Sequence, residues 1–248
     1  MATELVEISD DPASLDDGDF WAVSTTFEGA FIAAKFATVV DAPFPLTAWN
    51  PIATEWISKP DQQRYIDYVD LIRDHIAKGW VYQVNACRQL STESSHLNLR
   101  GLFSQILKSN PAPWASYLEI PQLNIASASP ELFLKRSGNR VKTSPIKGTA
   151  PLGAKQFGHK DQSENIMIVD LMRNDLGMIC ESGSVEVSRL LSTETHPGLQ
   201  HLVSDVEGDL KKGISWKEIF EAVSPPGSNE MAIGRLRRDP NDQLFQRR

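Results

Sequence analysis

The sequence predicts an α+β fold with a substantial antiparallel sheet. Segments patterned as strands and segments patterned as helices are mixed along the chain, without the regular strand–helix–strand alternation that produces a parallel sheet. The chain also lacks a glycine-rich nucleotide-binding fingerprint and an internal repeat. Its 248 residues are enough for one large domain or two small ones around a well-buried core.

Two stretches in the first part of the chain differ sharply in pattern. Residues 1–19 are polar and rich in aspartate, which predicts a loosely ordered lead-in. Residues 20–40 are rich in β-branched and aromatic residues, with Gly29 near the middle, and this predicts a strand, a turn and a strand. The prolines and asparagine of residues 41–51 then predict a loop.

The next predicted elements are a helix and a strand. Residues 61–79 carry apolar side chains at helical spacing and end in Lys78-Gly79, a basic last turn followed by a glycine stop. Residues 80–86 alternate in polarity, which predicts a strand that places Gln83 and Asn85 on one face. Those two polar side chains are either exposed or line a pocket.

The second half of the chain predicts three helices and several strands. The helices are expected at 99–107, at 161–176 with Gly177 as the C-cap, and at 215–223, where Ser215 and Glu218 form a capping box. The strands are expected at 115–120, 123–127, 131–135, 184–190 and 202–207.

Composition and charge narrow the class of partner. The net charge of −7, with no long basic run, argues against nucleic acid or an anionic membrane as the main partner. No apolar run approaches the ~20 residues of a membrane span, and residues 1–19 lack the features of a secretion signal. Cys87 and Cys180 have no Cys or His nearby at metal-ligand spacing, which indicates free thiols. We therefore expect a cytoplasmic protein that acts on small molecules.

Lys147 is a candidate nucleophile. It stands in Pro-Ile-Lys-Gly-Thr, where we expect a tight turn after a strand, and Gly148 lets a ligand approach the main chain closely. An amine nucleophile must be neutral, so it needs burial or a cationic neighbour to lower its pKa. The alternative is a solvated loop lysine.

Glu131 is a candidate general acid. It follows a turn fixed by Pro130, and a further turn separates it from Lys147, so the two residues can return on neighbouring strands and face one cavity. A carboxyl group there could donate a proton if desolvation raised its pKa. The alternative is an exposed glutamate on a strand.

Glu164 and His201 each have a structural and a functional interpretation. A carboxylate near the start of a helix, as at Glu164, is favoured by the helix dipole alone. Glu164 also shares a helical stripe with Ile168, Leu171 and Asp175, and carboxylates of this kind commonly bind a divalent cation such as Mg²⁺. His201 is either a satisfied core histidine or a catalytic one.

Six motifs carry a resemblance to a known family. In chain order they are Tyr82-Gln-Val-Asn, Asn110-Pro-Ala-Pro, Ser129-Pro-Glu, Pro145-Ile-Lys-Gly-Thr, Glu164-Asn-Ile-Met-Ile-Val-Asp-Leu-Met-Arg-Asn-Asp-Leu-Gly and His201-Leu-Val-Ser. The series resembles the chorismate-utilising enzymes, and over roughly residues 20–227 the chain is most similar to their aminodeoxychorismate synthase component I branch. The resemblance implies a partial two-sheet α/β sandwich of the anthranilate synthase component I type.

The resemblance implies a reaction in the para-aminobenzoate and folate pathway. Lys147 would add covalently to the chorismate ring while Glu131 protonates the departing 4-hydroxyl group, and ammonia would then displace the lysine to give 4-amino-4-deoxychorismate. Anthranilate synthases have alanine where this chain has Lys147. Isochorismate and salicylate synthases have a water-activating lysine at the position that matches Gln83, and glutamine cannot act as that base.

The family also implies the remaining site residues and partners. Gly148 and Thr149 would contact the substrate, His201 would lie beside it with Gln83, and Glu164 would be one ligand of a Mg²⁺ cofactor. Ammonia would come from a separate glutamine amidotransferase subunit, because nothing in the chain resembles a glutaminase site.

The resemblance ends near residue 228. It implies an N-terminal strand-rich segment at 1–55, an incomplete chorismate-binding catalytic domain at 56–227 and a divergent, disordered tail at 228–248. The arginine-rich tail matches none of the family's continuation, so we expect a truncated or frameshifted end and impaired synthase activity. A non-catalytic remnant that binds a small ligand or docks an amidotransferase is the alternative, and anthranilate synthase component I is a further one.

Overall fold

The computed structural model describes residues 1–81, 83–94, 97–121, 123–154 and 157–224. These residues form two compact units, one from the described parts of 1–51 and 96–228, the other from those of 52–95. The mixture of helices and strands in several sheets confirms the predicted α+β class. The division predicted at residues 55 and 227 stays a prediction, and the tail 228–248 lies outside the described residues.

The strands are β1 (Ala2–Ser9), β2 (Trp21–Thr25), β3 (Phe31–Val39), β4 (Ile57–Lys59), β5 (Gln89–Ser91), β6 (Ser116–Ile120), β7 (Leu123–Ser127), β8 (Leu132–Ser137), β9 (Arg140–Ser144), β10 (Ile146–Pro151), β11 (Glu186–His196) and β12 (Leu199–Asp209). The α-helices are α1 (Gln62–Ala77), α2 (Leu99–Ser109), α3 (His159–Ile179) and α4 (Trp216–Val223). None of the helices in the described ranges is both long and apolar enough to span a bilayer.

The N-terminal segment folds as a three-stranded antiparallel sheet in the order β1-β3-β2. The predicted strand, turn and strand over 20–40 are confirmed, and Gly29 adopts a φ of 91° in the turn. The loosely ordered lead-in was a wrong prediction, because residues 2–9 pair with β3 along its other edge. The acidic residues that follow are also ordered, since Asp17 accepts a hydrogen bond from Lys35 of β3 at 2.8 Å.

The largest sheet of the first unit has five strands built around β12. Strand β11 pairs along one edge of β12, while β10 and then β9 pair along the other, and β8 pairs with β9. Pro145 separates β9 from β10, and its carbonyl accepts a hydrogen bond from the backbone of Ser204 at 3.2 Å. Strands predicted at 184–190 and 202–207 are confirmed as parts of the longer hairpin β11–β12.

Helix α3 packs on this sheet and contributes five side chains to the main core. The core side chains come from α3, α4, the strands and the residue after β12: Val141, Ile168, Val169, Met172, Leu176, Ile179, Val206, Leu210, Ile219 and Val223. The predicted C-cap at Gly177 is wrong, since α3 continues to Ile179. Burial of Ile179 and Cys180 outweighs the poor helix propensity of glycine at that position.

Four further predictions for the first unit are confirmed. Helix α2 and the strand pair β6–β7 form where expected, and residues 41–51 have no regular secondary structure. Phe44 of that loop packs edge-on against Phe103 of α2, with ring centroids 4.8 Å apart. The capping box of α4 forms between Ser215 and Glu218.

The second unit contains β4, α1 and β5. The predicted helix is confirmed, with Asp61 as its N-cap and Gly79 at a φ of 71° after its end. The strand predicted at 80–86 is wrong for the described residues of that stretch, which have no strand structure. An alternating pattern makes a strand only where a neighbour takes up its backbone hydrogen bonds, and here β4 pairs with residues 89–91 instead.

Candidate active site

Glu131 lies next to the strand that carries Lys147. Glu131 immediately precedes β8, and its Oε1 accepts a hydrogen bond at 3.1 Å from the backbone N–H of Ile146, the first residue of β10. Lys147 is the next residue, half-buried in β10. The sequence predicted a tight turn at Lys147, and this is wrong, because the chain returns to strand geometry directly after Pro145.

The environment of Glu131 favours its protonated form. Burial raises the pKa of this carboxyl group, and the hydrogen bond from Ile146 and the positive charge of Lys147 offset that effect only in part. A carboxylic acid with a raised pKa can donate a proton near neutral pH. The hydrogen bond occupies Oε1, so the proton of the acid form belongs on Oε2.

Gly148 stands at a bulge in β10. The pairing of β10 with β12 shifts register between Ile146 and Thr149, and Gly148 adopts a φ of 89° there. A Cβ atom at Gly148 would lie 2.9 Å from Cβ of Asp161 on α3. Both the backbone conformation and the space therefore require glycine, which explains its place after the lysine.

Thr149 and His201 meet across β10 and β12. They are directly paired in the sheet, and Oγ1 of Thr149 lies 2.9 Å from Nδ1 of His201. Thr149 is exposed, whereas His201 is buried. Burial lowers the pKa of His201. A positive charge on His196 lowers it further, whereas the negative charge of Glu194 raises it.

His196 and Glu194 were not predicted as site residues. Glu194 of β11 pairs with His201 on β12, which completes a row that begins at Thr149 of β10. His196 lies two residues beyond Glu194, and its ring meets that of His201 edge-on with centroids 4.8 Å apart. The register of the β11–β12 hairpin creates this cluster, and no pattern in the sequence signals that register.

Asn165 connects α3 to the sheet beside His201. Its amide donates to the carbonyl of Leu202 at 3.2 Å, and its Oδ1 accepts from the hydroxyl of Ser204. The hydroxyl of Ser204 in turn accepts from the backbone N–H of Leu191 at 2.9 Å. Asn165 and Ser204 are members of the motifs that begin at Glu164 and His201, so the two motifs fold against each other.

Glu164 is positioned through its neighbour Asn165. The side chain of Glu164 is 22% exposed, and its Oε1 lies 3.6 Å from Nζ of the exposed Lys160. In the described part of the chain, no group of three or more His, Cys, Asp or Glu side chains gathers around a possible metal position. Mg²⁺ in proteins often takes only one or two carboxylates and completes its shell with water and substrate oxygens, so Glu164 fits the role of one ligand.

Gln83 belongs to the second unit and is described with it. Its side chain is half-buried, and its Oε1 accepts no hydrogen bond from the described residues. Tyr82, which precedes it in the motif, lies outside the described residues. The predicted role of Gln83 beside a substrate stays a prediction.

The comparison with known protein families gives a match over most of the chain. Residues 30–229 match the chorismate binding enzymes. The chain belongs to the chorismate-binding enzyme family. The segments that build the site, from Glu131 to Ser204, all fall within the matched range.

Curated members of the chorismate-binding family with different names match this chain at similar identity. Anthranilate synthase component 1 1 of Haloarcula marismortui is 35% identical over 67% of this chain and 36% of its own length. Aminodeoxychorismate synthase component 1 of Bacillus subtilis is 36% identical over 64% of this chain and 36% of its own length. The same component of Escherichia coli is 32% identical over 71% of this chain and 41% of its own length. The chain thus spans well under half the length of these relatives.

Solved structures of the chorismate-binding family share the fold. Anthranilate synthase component I from Streptococcus pneumoniae superposes with a TM-score of 0.66 at 25% identity, over 78% of this chain and 45% of that one. A putative isochorismate synthase from Bacillus anthracis superposes with a TM-score of 0.63 at 17% identity, over 90% of this chain and 68% of that one. The predicted fold of the anthranilate synthase component I type is confirmed.

Proposed function

We propose that this chain carries the aminodeoxychorismate synthase component I reaction, in which chorismate and ammonia give 4-amino-4-deoxychorismate and water. The observation that carries the proposal is the placement of Lys147 beside Glu131, whose pKa is raised by burial. A nucleophilic amine and a protonated carboxylic acid on adjoining segments are the two groups that a displacement of a ring hydroxyl requires.

Each step of the proposed reaction balances. The neutral amine of Lys147 forms a C–N bond to the chorismate ring, the ring double bonds shift, and the C4–O bond breaks with a proton from Glu131, which releases water. Ammonia then forms a C–N bond at C4, the double bonds shift back, the bond to Lys147 breaks to release its neutral amine, and the new ammonium group returns a proton to Glu131. Glu131 ends the first step as a carboxylate, which the nearby charge of Lys147 stabilises.

The neighbouring residues would shape the binding surface. Gly148 forms the bulge beside Lys147, and the row from Thr149 to His201 places a hydroxyl and an imidazole at the same end of the sheet. Polar groups that converge in this way can bind the carboxylate and hydroxyl groups of chorismate.

We further propose that Glu164 is one ligand of Mg²⁺. When bound, the ion would neutralise the ring carboxylate of the substrate and favour displacement. The partner that supplies ammonia would be a separate glutamine amidotransferase subunit, as the "component 1" names of the relatives suggest. The cytoplasmic location stays a prediction.

Anthranilate synthase component I is the second candidate. Relatives with that name are as similar to this chain as the aminodeoxychorismate synthases are. Lys147 argues against it, because the resemblance places alanine at this position in anthranilate synthases. Both candidates consume chorismate, so their products distinguish them.

The test is the product formed by the purified 248-residue chain from chorismate, ammonium and Mg²⁺, identified by liquid chromatography and mass spectrometry. We expect a low yield of 4-amino-4-deoxychorismate, in keeping with the expected impairment, with its formation lost in Lys147→Ala and retained in the control Lys135→Ala, which changes an exposed lysine of β8. Anthranilate as the product would support the second candidate. Equal product formation by Lys147→Ala and the unmodified chain would overturn the proposed role of the lysine.

A further inference from the structure

The two histidines at the end of the β11–β12 hairpin form a pair beside the proposed substrate site. His201 contacts Thr149 through Nδ1, at 2.9 Å, and meets the ring of His196 edge-on. Nε2 of His196 is buried and makes no hydrogen bond to a described residue, although Oε2 of Glu194 lies 3.8 Å away. The other oxygen of Glu194 pairs with Arg189, so Oε2 is the oxygen directed toward His196.

A proton on Nε2 of His196 would change this arrangement. A neutral imidazole at 3.8 Å makes no hydrogen bond with the carboxylate, and a buried polar atom without a partner is unfavourable. The protonated ring is a cation within ion-pair distance of Glu194, and the pairing would satisfy the buried nitrogen. When His196 and His201 together carry a single proton, we therefore expect that proton on His196.

We propose that His196 is a positioning residue for His201: protonated and paired with Glu194, it keeps the neighbouring ring of His201 neutral. Two imidazolium rings with centroids 4.8 Å apart would repel each other in this half-buried setting. A neutral His201 keeps one ring nitrogen as an acceptor and one as a donor, whereas the charged ring has only donors. The site would then offer a fixed acceptor or donor to a hydroxyl group of the substrate.

The groups around His201 agree with a protonated His196 beside a neutral His201. From β11, the groups that face His201 are His196 and Glu194, and the carboxylate of Glu194 is shared with Arg189. From β10, the group in contact is the uncharged hydroxyl of Thr149. Burial, followed by the charge of His196, lowers the pKa of His201, whereas Glu194 raises it.

The inference deepens the proposed function, because it concerns the histidine at that site, but its test does not depend on turnover. The experiment follows the ring nitrogens of the five histidines by long-range proton–nitrogen NMR across pH in the full chain. His201 is assigned from the signal lost in His201→Gln. We expect His201 to take up its proton only at a pH at which His196, assigned from the signal lost in His196→Gln, is already protonated.

Substitution then isolates the effect of His196. In His196→Phe, which keeps an aromatic ring and removes the proton, the titration midpoint of His201 should move to higher pH by more than the fitting error. His196→Gln should give the same direction, and serves if the phenylalanine variant misfolds. His159→Phe, at an exposed position that begins α3, should leave the midpoint unchanged.

Two results would overturn the inference. One is an unchanged or lowered midpoint of His201 in both His196 variants. The other is protonation of His201 before His196 as pH falls in the unmodified chain. If the midpoint of His201 rises in the His196 variants but the chain forms no 4-amino-4-deoxychorismate, the inference about the histidines stands. That combination of results would count only against the proposed reaction.

Discussion

The hydroxyl of Ser204 on β12 donates a hydrogen bond to Oδ1 of Asn165 on α3, and both side chains are fully buried. This contact joins two motifs that are distant in sequence. Glu164 precedes Asn165, and His201 lies three residues before Ser204, so one buried link sets the relative position of the proposed metal ligand and the proposed substrate-side histidine.

Asn165→Ala is expected to lower the free energy of unfolding by ~2–3 kcal/mol, because it leaves the carbonyl of Leu202 and the hydroxyl of Ser204 without their buried partner. Asn174→Ala, at an exposed position of the same helix, is the matched control and should change stability by under ~0.5 kcal/mol. The measurement is urea unfolding followed by tryptophan fluorescence. Equal stability of the two variants would show that the link contributes little.

Gly148→Ala is expected to cost ~2–4 kcal/mol, since the new Cβ meets both an unfavourable backbone conformation and the side chain of Asp161. Gly153→Ala separates the two effects. Gly153 has a similar φ of 87°, but a Cβ atom there would meet no atom within 4 Å, so we expect a loss of only ~1 kcal/mol. If both variants lost the same stability in thermal unfolding, contact with α3 would not be the reason for glycine at 148.

Glu131→Gln is expected to raise stability at neutral pH relative to the unmodified chain. The pKa of Glu131 is higher in the folded than in the unfolded protein. The protonated carboxyl group therefore stabilises the fold in full below the unfolded pKa, and this stabilisation is lost as pH rises through the folded pKa. Glutamine keeps the acceptor for the N–H of Ile146 and carries no charge. The gain in melting temperature should therefore be larger at pH 7 than at pH 4. A gain that is the same at both pH values would contradict a raised pKa.

Glu164→Gln is expected to weaken the binding of chorismate that depends on Mg²⁺, because one carboxylate ligand would be lost. Isothermal titration calorimetry with and without Mg²⁺ measures the effect, and at least a tenfold loss of affinity is expected from the exchange of a charged ligand for a neutral one, or about 1.4 kcal/mol. Asp170→Asn, an exposed acid of α3 that pairs with Arg173, should bind as the unmodified chain does. Loss of affinity in the absence of Mg²⁺ as well would assign Glu164 a different role.

The sequence predicted the elements that depend on local patterning. Helix α1 follows from apolar spacing and the glycine stop after Lys78, and α4 follows from the capping box of Ser215 and Glu218. Strands β2 and β3 follow from β-branched and aromatic residues around Gly29. The wrong predictions concern segments whose structure depends on pairing with strands that are distant in sequence. Residues 2–9 form a strand because β3 has an edge to pair with, and residues 83–86 do not, since β4 pairs further along the chain.

In the candidate site, too, local patterns predicted some features, and others depend on residues that are distant in sequence. Motif order pointed to Lys147, Glu131 and His201, but the burial that raises the pKa of Glu131 arises only when the turn after Pro130 places it against β10. The His196–Glu194 pair depends on the register of an eleven-residue hairpin strand, which local pattern does not specify.

Covalent attachment of chorismate to Lys147 would change the mass of the intact 248-residue chain, which mass spectrometry measures. After incubation with chorismate and Mg²⁺ and without ammonia, we expect an adduct equal to chorismate minus water, mapped by peptide sequencing to Lys147. A single turnover is sufficient for this signal. The adduct should be absent in Lys147→Ala, strongly slowed in Glu131→Ala and discharged by added ammonium. An unmodified mass under these conditions, or an adduct that persists in Lys147→Ala, would show that Lys147 is not the nucleophile.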